Sequence, residues 1–485
     1  MVALGGRVAE AVVAAIGETL PANAAEFAAL ERKLAAVGAR KLAAPVLERV
    51  VFHVNESAAF VEAAVEAARA ERALKIHSHR DVSAQVLEGG QVKTRTAYAT
   101  PPPPPAKRPG RRREVGRRGP TGSGCYPVLA QLGFLGRVSP GLTSAVARAA
   151  TELSSYAEAR ESLSARGTDL DVKTVRYLTH RVADAGLEAR LVADADEERV
   201  SEELKGKRVV ATFDGGRVRT RVSGKCGRRR TATGARGYDA PWREPALFAI
   251  YTVDANGKKT KERPWYEATL QGWNALFSHA ARLLRRLGVQ HAAELVIAAD
   301  GADTIWDRVD GLLSKTGIDR TRVRLFVDFW HAVEYLTDAA ELVGGWSAEQ
   351  RARWRRARRR ELLNGKVDVV IEHIEKLAIG RRAPPLHDIA AYFRKRRDRM
   401  RYDELRAAKL PIGSGAVESA VRRVVNLRLK GPGIFWEEQN AERMLLLRCR
   451  LKSGRWDELE QAVYARASAT HGRVLELERQ ARQAG

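Results

Sequence analysis

Three acidic residues stand where phosphoryl-transfer chemistry needs its ligands. Asp214 closes the apolar run Val209-Val210-Ala211-Thr212-Phe213, and Asp300 closes Leu295-Val296-Ile297-Ala298-Ala299. Glu418 lies in Ile412-Gly413-Ser414-Gly415-Ala416-Val417-Glu418-Ser419, a glycine turn running into a helical pattern. Carboxylates are hard oxygen donors suited to Mg2+ or Mn2+. Two such ions about 4 Å apart drive in-line attack at a phosphate by activating the nucleophile and stabilising the leaving oxygen. A single Asp after a strand usually caps a loop, so the signal is the combination: two strand-end acids and one on a later helix. Asp328-Phe329-Trp330-His331 follows the next apolar run. Asp328 and His331, three apart at a helix start, can share one side and orient a ligand or water at the rim of a metal site. The plain alternative is a helix cap with a buried histidine.

These residues need a scaffold that delivers them to one place. From position 207 the pattern predicts strands at Arg208–Phe213, Arg217–Val222 and Leu247–Val253, the second being a hairpin partner of the first. A helix over Gln271–Leu287, a strand at Glu294–Ala299, a helix over Thr304–Lys315 and a strand at Val323–Val327 follow. That order predicts an α/β fold, an RNase H-like mixed sheet with flanking helices. Residues 207–331 form its first part. No strand alternation survives between about 329 and 410, so 332–410 is expected to be an all-helical insertion, which also explains the long gap before Glu418. A helix over Ala416–Leu429 completes the core within 411–460, and 461–485 is expected to be a C-terminal helix.

The rest of the chain is read as helical N-terminal domains. Residues 1–85 carry Ala and Leu at helical spacing and need no chemistry. Residues 86–124 read as a linker: the run Pro101–Pro105 favours extended backbone, and Lys107, Arg108, Arg111, Arg112, Arg113, Arg117 and Arg118 follow it. Residues 125–200 contain Ser155–Arg166, a break at Gly167 and a second helix over Val172–Ala185. This pair is either a helix-turn-helix, exposing Lys173, Thr174, Arg176, Tyr177 and His180, or an ordinary helical hairpin.

Composition points to the partner. The 485 residues carry 84 Lys and Arg against 59 Asp and Glu, a net charge of +25. Such an excess favours a polyanionic partner, nucleic acid above all, over a ribosome-associated or peripheral membrane role. Seven arginines between Arg351 and Arg360 make the densest cluster, with Arg353, Arg356 and Arg360 on one helical face. Arg428 and Lys430, near Glu418, are expected to be further DNA contacts at the surface. The three cysteines have no CxxC spacing, which supports neither a disulfide framework nor a zinc knuckle and fits a reducing cytosol. No uncharged apolar stretch approaches the roughly 20 residues of a membrane span. Arg7, Glu10 and Glu18 interrupt the first apolar region, against a signal peptide.

Taken together, the motifs resemble those of a DDE transposase of the ISKra insertion-sequence family, a bacterial relative of the Mutator-like group. The resemblance is carried by Asp214-Gly215-Gly216-Arg217-Val218, Asp300-Gly301-Ala302 with Ile305-Trp306, Asp328-Phe329-Trp330-His331 and the Ile412–Ser419 block. Arg428-Leu429-Lys430, Trp436 and the tail Met444–Arg455 extend it, so that it spans roughly 125–460. It implies Asp214, Asp300 and Glu418 as metal-binding catalytic acids, with Asp328 and His331 as an Asp-x-x-His signature in which Asp328 is a further metal ligand and His331 a catalytic residue, and it favours the helix-turn-helix reading. It further implies cleavage at element ends, terminal inverted repeats and target DNA as partners, a homo-oligomer on DNA and a nucleoid-associated cytoplasmic location. Members often carry cysteine pairs ahead of the core, whereas Val92–Gly119 has none. The alternatives are a structure-specific nuclease on the same core and a transposase-derived DNA-binding regulator without catalysis.

Overall fold

The computed structural model describes residues 38–71, 73–100, 124–192, 200–221, 229–230, 236–237 and 240–467. The chain divides into two compact units, Leu191–Arg455 and Met1–Arg190 with Trp456–Gly485.

The Leu191–Arg455 unit is mixed α/β. Its main sheet has five strands: β1 (Arg208–Gly215), β2 (Ala246–Val253), β3 (Trp265–Thr269), β4 (Glu294–Ala299) and β5 (Val323–Val327), in the order β5-β4-β1-β2-β3. β4 runs parallel to both β1 and β5, while β1–β2 and β2–β3 are antiparallel. The central strands are apolar on both faces because both faces are covered. Val209–Phe213, Leu247–Ile250 and Leu295–Ala299 are all buried. One cover is α1 (Trp273–Arg286), whose Phe277 ring stacks on Phe213 at 4.5 Å between centroids. α2 (Asp303–Thr316) adds Ile305, Trp306, Val309, Leu312 and Leu313 to the same core.

Two strand expectations are corrected. The segment expected at Arg217–Val222 does form a strand, Val218–Arg221, but it does not pair with β1. It lies in a separate small sheet, parallel to Trp436–Glu437 and antiparallel to Trp242–Arg243. Alternation fixed its conformation but not its partner. The third member of the main sheet is β3, which sequence reading passed over. Trp265-Tyr266-Glu267-Ala268-Thr269 is buried throughout despite its acid, because Arg450 pairs with Glu267 at 3.1 Å. Arg450 lies on α9 (Glu438–Lys452), whose Glu442 accepts from Thr269 Oγ1 at 2.9 Å and Leu270 N at 2.7 Å.

The stretch expected to be an all-helical insertion is helical: α3 (Phe329–Glu341), α4 (Ala348–Leu363), α5 (Val367–Glu375), α6 (Ala383–Arg396) and α7 (Tyr402–Ala407). The helix expected over Ala416–Leu429 begins as α8 (Gly415–Val421), widens to a π-helical turn at Arg422–Asn426 and ends as Leu427–Leu429.

In the other unit, the helical reading of 1–85 and the linker reading of 86–124 both need correction. Lys75–Gln85 and Gln91–Thr100 pair as an antiparallel hairpin. Val82, Ala84 and Val86 alternate inward with Val92, Thr94 and Thr96, a period of two that the Ala-rich helices before it overshadow. Helices Ala44–Glu56 and Ala58–Glu71 precede the hairpin, and the Pro101–Arg118 segment lies outside the described residues. The two expected helices appear as Tyr156–Ser164 and Val172–Val192, either side of Gly167. Ser155 Oγ caps the first by accepting from Glu158 N at 3.0 Å, and Asp171 caps the second through Thr174 N at 2.9 Å. Of the expected 461–485 helix, 461–467 are helical as part of Trp456–Ala467, which belongs to this unit, while 468–485 lie outside the described residues. Among the described residues no helix is long and apolar enough to cross a membrane.

Candidate active site

Strand register brings three acids to one level. Phe213 is paired with Ala299, and Ala299 with Val327. The next residue on each of these adjacent parallel strands is Asp214, Asp300 and Asp328. Their side chains therefore leave the sheet at its carboxyl end, side by side, where open α/β sheets bind ligands.

Each acid is held differently. Asp214 Oδ1 accepts from Gly215 N at 2.7 Å, and Asp300 Oδ1 accepts from Ala302 N at 2.9 Å. Among the described residues, no partner meets the second oxygen of either, nor the exposed carboxylate of Glu418. Asp328 is only 1% exposed and committed on both oxygens. Oδ1 accepts from Trp330 N at 2.6 Å and His331 N at 3.1 Å, capping α3, while Oδ2 accepts from Ser414 N. This is the cap alternative raised above. Asp328 joins the helix carrying His331 to the glycine turn leading to Glu418, rather than displaying free oxygens as a metal ligand. Phe329 N donates to Ile412 O at 2.9 Å and fixes the same junction. Gly413 is needed there because a Cβ would lie 2.9 Å from the Trp330 ring.

From this anchor α8 packs against β1 and β2 and carries Glu418 towards Asp214. The electrostatics register the convergence. Burial pushes the Asp214 carboxyl up to about 6, and the negative charges of Asp300 and Glu418 push the same way. The Gly215 N–H and the nearby His331 oppose the rise. His331 is partly exposed, with Nδ1 3.1 Å from Glu334. Thus Asp300, His331 and Glu418 are each near enough to act on Asp214. Among the described residues, no three His, Cys, Asp or Glu side chains close tightly around one ion. The arrangement is an open cluster of oxygen donors whose like charges repel.

The cationic residues separate into exposed and internal. Arg353, Arg356 and Arg360 are exposed on α4. Arg358 is buried in a two-point contact with Glu361, and Arg351 pairs with Glu341 at 3.4 Å. Arg359 lies 4.8 Å from the ring centre of Trp330, which is 50% exposed beside Asp328. Lys430 is exposed, but Arg428 is buried under Trp436 at 5.1 Å, so its expected surface role is corrected to packing. On the Val172–Val192 helix, Lys173, Arg176 and Tyr177 are exposed while Val175, Leu178 and Thr179 face the core. Thr174 is occupied by Asp171, and His180 Nε2 lies 3.3 Å from Tyr156 Oη.

Sequence reading missed the residues that support the acids from outside their own strands. Arg448, 2% exposed, donates to the carbonyls of Arg423 and Val424 in the π-helical turn beyond Glu418. Tyr392 and Arg396 of α6 press on the turn after Asp300. No local pattern marks any of the three, because their partners are distant in sequence. No family model matches the chain, and neither a curated protein nor a solved structure matches it.

Proposed function

We propose that the chain is a DDE-type DNA transposase built on an RNase H-like core. The observation that carries the reading is the shared strand-end level of Asp214 and Asp300, with Glu418 facing them from α8. The strand order β3-β2-β1-β4-β5, with only β2 reversed, supports the core assignment. Oxygen donors without partners, crowded at one end of a sheet, suit hard divalent cations. Asp214, Asp300 and Glu418 would hold Mg2+ or Mn2+, which as a pair would activate the attacking oxygen and stabilise the departing one. Asp328 keeps His331 and the Glu418 turn in place, and His331 orients water at the rim. Arg353, Arg356 and Arg360 draw in the phosphate backbone, while Lys173 and Arg176 contact the element's terminal inverted repeats. Water and then the freed 3′ hydroxyl serve as successive nucleophiles, with the protein acting as a homo-oligomer on DNA.

The test is an end-cleavage and joining assay on the element's flanking DNA with Mg2+, comparing wild type with Asp214→Asn. Cleavage and joining by wild type, both lost in the variant while DNA binding persists, support the reading. Cleavage without joining points to a structure-specific nuclease. Specific binding without cleavage points to a regulator. Wild-type cleavage by Asp214→Asn overturns the site.

A further inference from the structure

The turn that follows β4 is gripped from outside its own strand, and the grip comes from the helical segment. Arg396, at the end of α6, is 8% exposed. Its Nε donates to Gly301 O at 2.7 Å, its Nη2 to Asp303 Oδ1 at 2.8 Å and its Nη1 to Tyr392 O at 3.3 Å. Tyr392, one turn earlier, lays its ring on Gly301 so closely that a Cβ there would sit 2.3 Å from it. The guanidinium lies 4.4 Å from the centre of that ring, and Tyr335 stacks on the ring at 3.8 Å. On the other side Trp306 Nε1 donates to Asp300 O at 2.7 Å, and Arg399 covers the Trp306 ring at 4.5 Å. The carbonyls of Asp300 and Gly301 are thereby fixed by side chains from two helices. Only the outer oxygen of the Asp300 carboxylate is left without a partner among the described residues.

We infer that Arg396, with Tyr392 as its backing, is a positioning residue for Asp300, and that the helical segment sets the geometry of the acid cluster as well as presenting arginines. The physical argument is specific to this turn. Gly301 must be glycine to admit the Tyr392 ring, and glycine leaves the peptide free to rotate. Among the described residues Arg396 is the hydrogen-bond partner of the Gly301 carbonyl, so loss of that bond frees the peptide next to Asp300 to shift and carry the carboxylate with it. A shift of about 1 Å at a reacting centre costs on the order of 10²-fold in rate. A planar fork satisfies three acceptors here, whereas a lysine ammonium cannot span them in this arrangement.

The inference rests on the proposed role of Asp300, so Asp300→Asn is run alongside. Arg396→Lys perturbs the grip from α6, Gly301→Ala perturbs it from the turn itself, and Arg394→Ala is the control. Arg394 lies on the same helix but pairs with Glu375 instead. Each protein is scored for end cleavage, DNA affinity, Mn2+ affinity by electron paramagnetic resonance and folded content by circular dichroism. The expected result for Arg396→Lys and Gly301→Ala is cleavage down about 100-fold and Mn2+ binding weakened about tenfold, with DNA affinity and folded content retained. Arg394→Ala should match wild type. Wild-type cleavage and Mn2+ affinity in both grip variants, with Asp300→Asn inactive, overturn the inference alone. If one variant fails to fold, the other decides. Wild-type cleavage by Asp300→Asn overturns the proposed function, and this inference with it.

Discussion

The strand-borne acids and the helix-borne acid reach the same site by different physics. Asp214 and Asp300 follow paired residues of neighbouring parallel strands, so a ladder of backbone hydrogen bonds sets their relative height. Glu418 has no such ladder. Its position depends on the Phe329–Ile412 bond, the tether from Ser414 to Asp328, and Arg448 holding the carbonyls of the π-helical turn beyond it. π-Helical turns inside α-helices are frequent at functional sites, where they re-aim side chains. The difference teaches that the sheet supplies a rigid pair, while the third acid is adjustable and is set by its tethers.

Changing side-chain length tests this directly and carries the largest effect. Asp214→Glu pushes a carboxylate into a site whose backbone cannot retreat, and should lower cleavage by ~10³-fold or more. Glu418→Asp withdraws an exposed carboxylate on a helix held by tethers rather than by a strand ladder, which can shift to compensate, and should lower it by only ~10 to 10²-fold. Steady-state rates with end-containing DNA measure both. Equal losses would mean that Glu418 is as rigidly held as the strand acids, and the contrast would fail.

Asp328 is where the two regions join, so its replacement should disturb both. Asp328→Asn keeps the shape but offers one oxygen where two now serve three N–H donors. Its amide N–H group then faces either the α3 cap or Ser414 N. The buried donor left unmatched, with the loss of charge assistance, should destabilise the protein by about 2–3 kcal/mol. Denaturant titration gives that figure, and the cleavage rate of the folded variant shows how far Glu418 has drifted. An unchanged midpoint would show that the three N–H contacts contribute little.

The parts of this arrangement legible in the sequence are those written locally. Apolar runs ending in Asp214 and Asp300 identify buried strands, since only a doubly covered strand is apolar at every position, but strand direction is not written in them: Ala246–Val253 is as fully buried and runs antiparallel to both its neighbours. The turn around Gly413 and Gly415 announces the helix of Glu418, and Asp328 three before His331 fits a cap. What stayed hidden depends on distant partners. Glu267 makes Trp265–Thr269 look unlike a core strand until Arg450 neutralises it. The partner of Val218–Arg221 lies at Trp436–Glu437, more than two hundred positions on. Arg428 carries the charge of a DNA contact, yet the ring of Trp436 covers it. The grip of Arg396 on Gly301 crosses from one segment to another and leaves no periodic trace. The hairpin at Lys75–Thr100 is a different failure: its alternation was present but outweighed by the helical spacing before it.

The smallest expected effect concerns stability and separates the two kinds of acid once more. In metal-free protein the Asp214 carboxyl titrates near 6 rather than at its ordinary 3.8, chiefly because it is buried. A folded carboxyl with a raised value keeps a proton that the unfolded chain has already released. Folding therefore takes up a proton between roughly pH 4 and pH 6, and stability falls as pH rises through that window. Above it the whole penalty is present, and below it none is. A two-unit rise corresponds to at most about 3 kcal/mol, and partial solvent access reduces this to about 1–2 kcal/mol. Asp214→Asn cannot ionise, so in EDTA it should be more stable than wild type by about 1–2 kcal/mol at pH 7.5 and equal to it near pH 3.5. Glu418→Gln, at an exposed position, should stay within about 0.5 kcal/mol of wild type across the range. Thermal unfolding of the three proteins at both pH values decides it. A gain in Asp214→Asn that persists at pH 3.5 would trace to packing rather than charge, and no gain at pH 7.5 would mean that Asp214 ionises without strain and that the site is not short of positive charge.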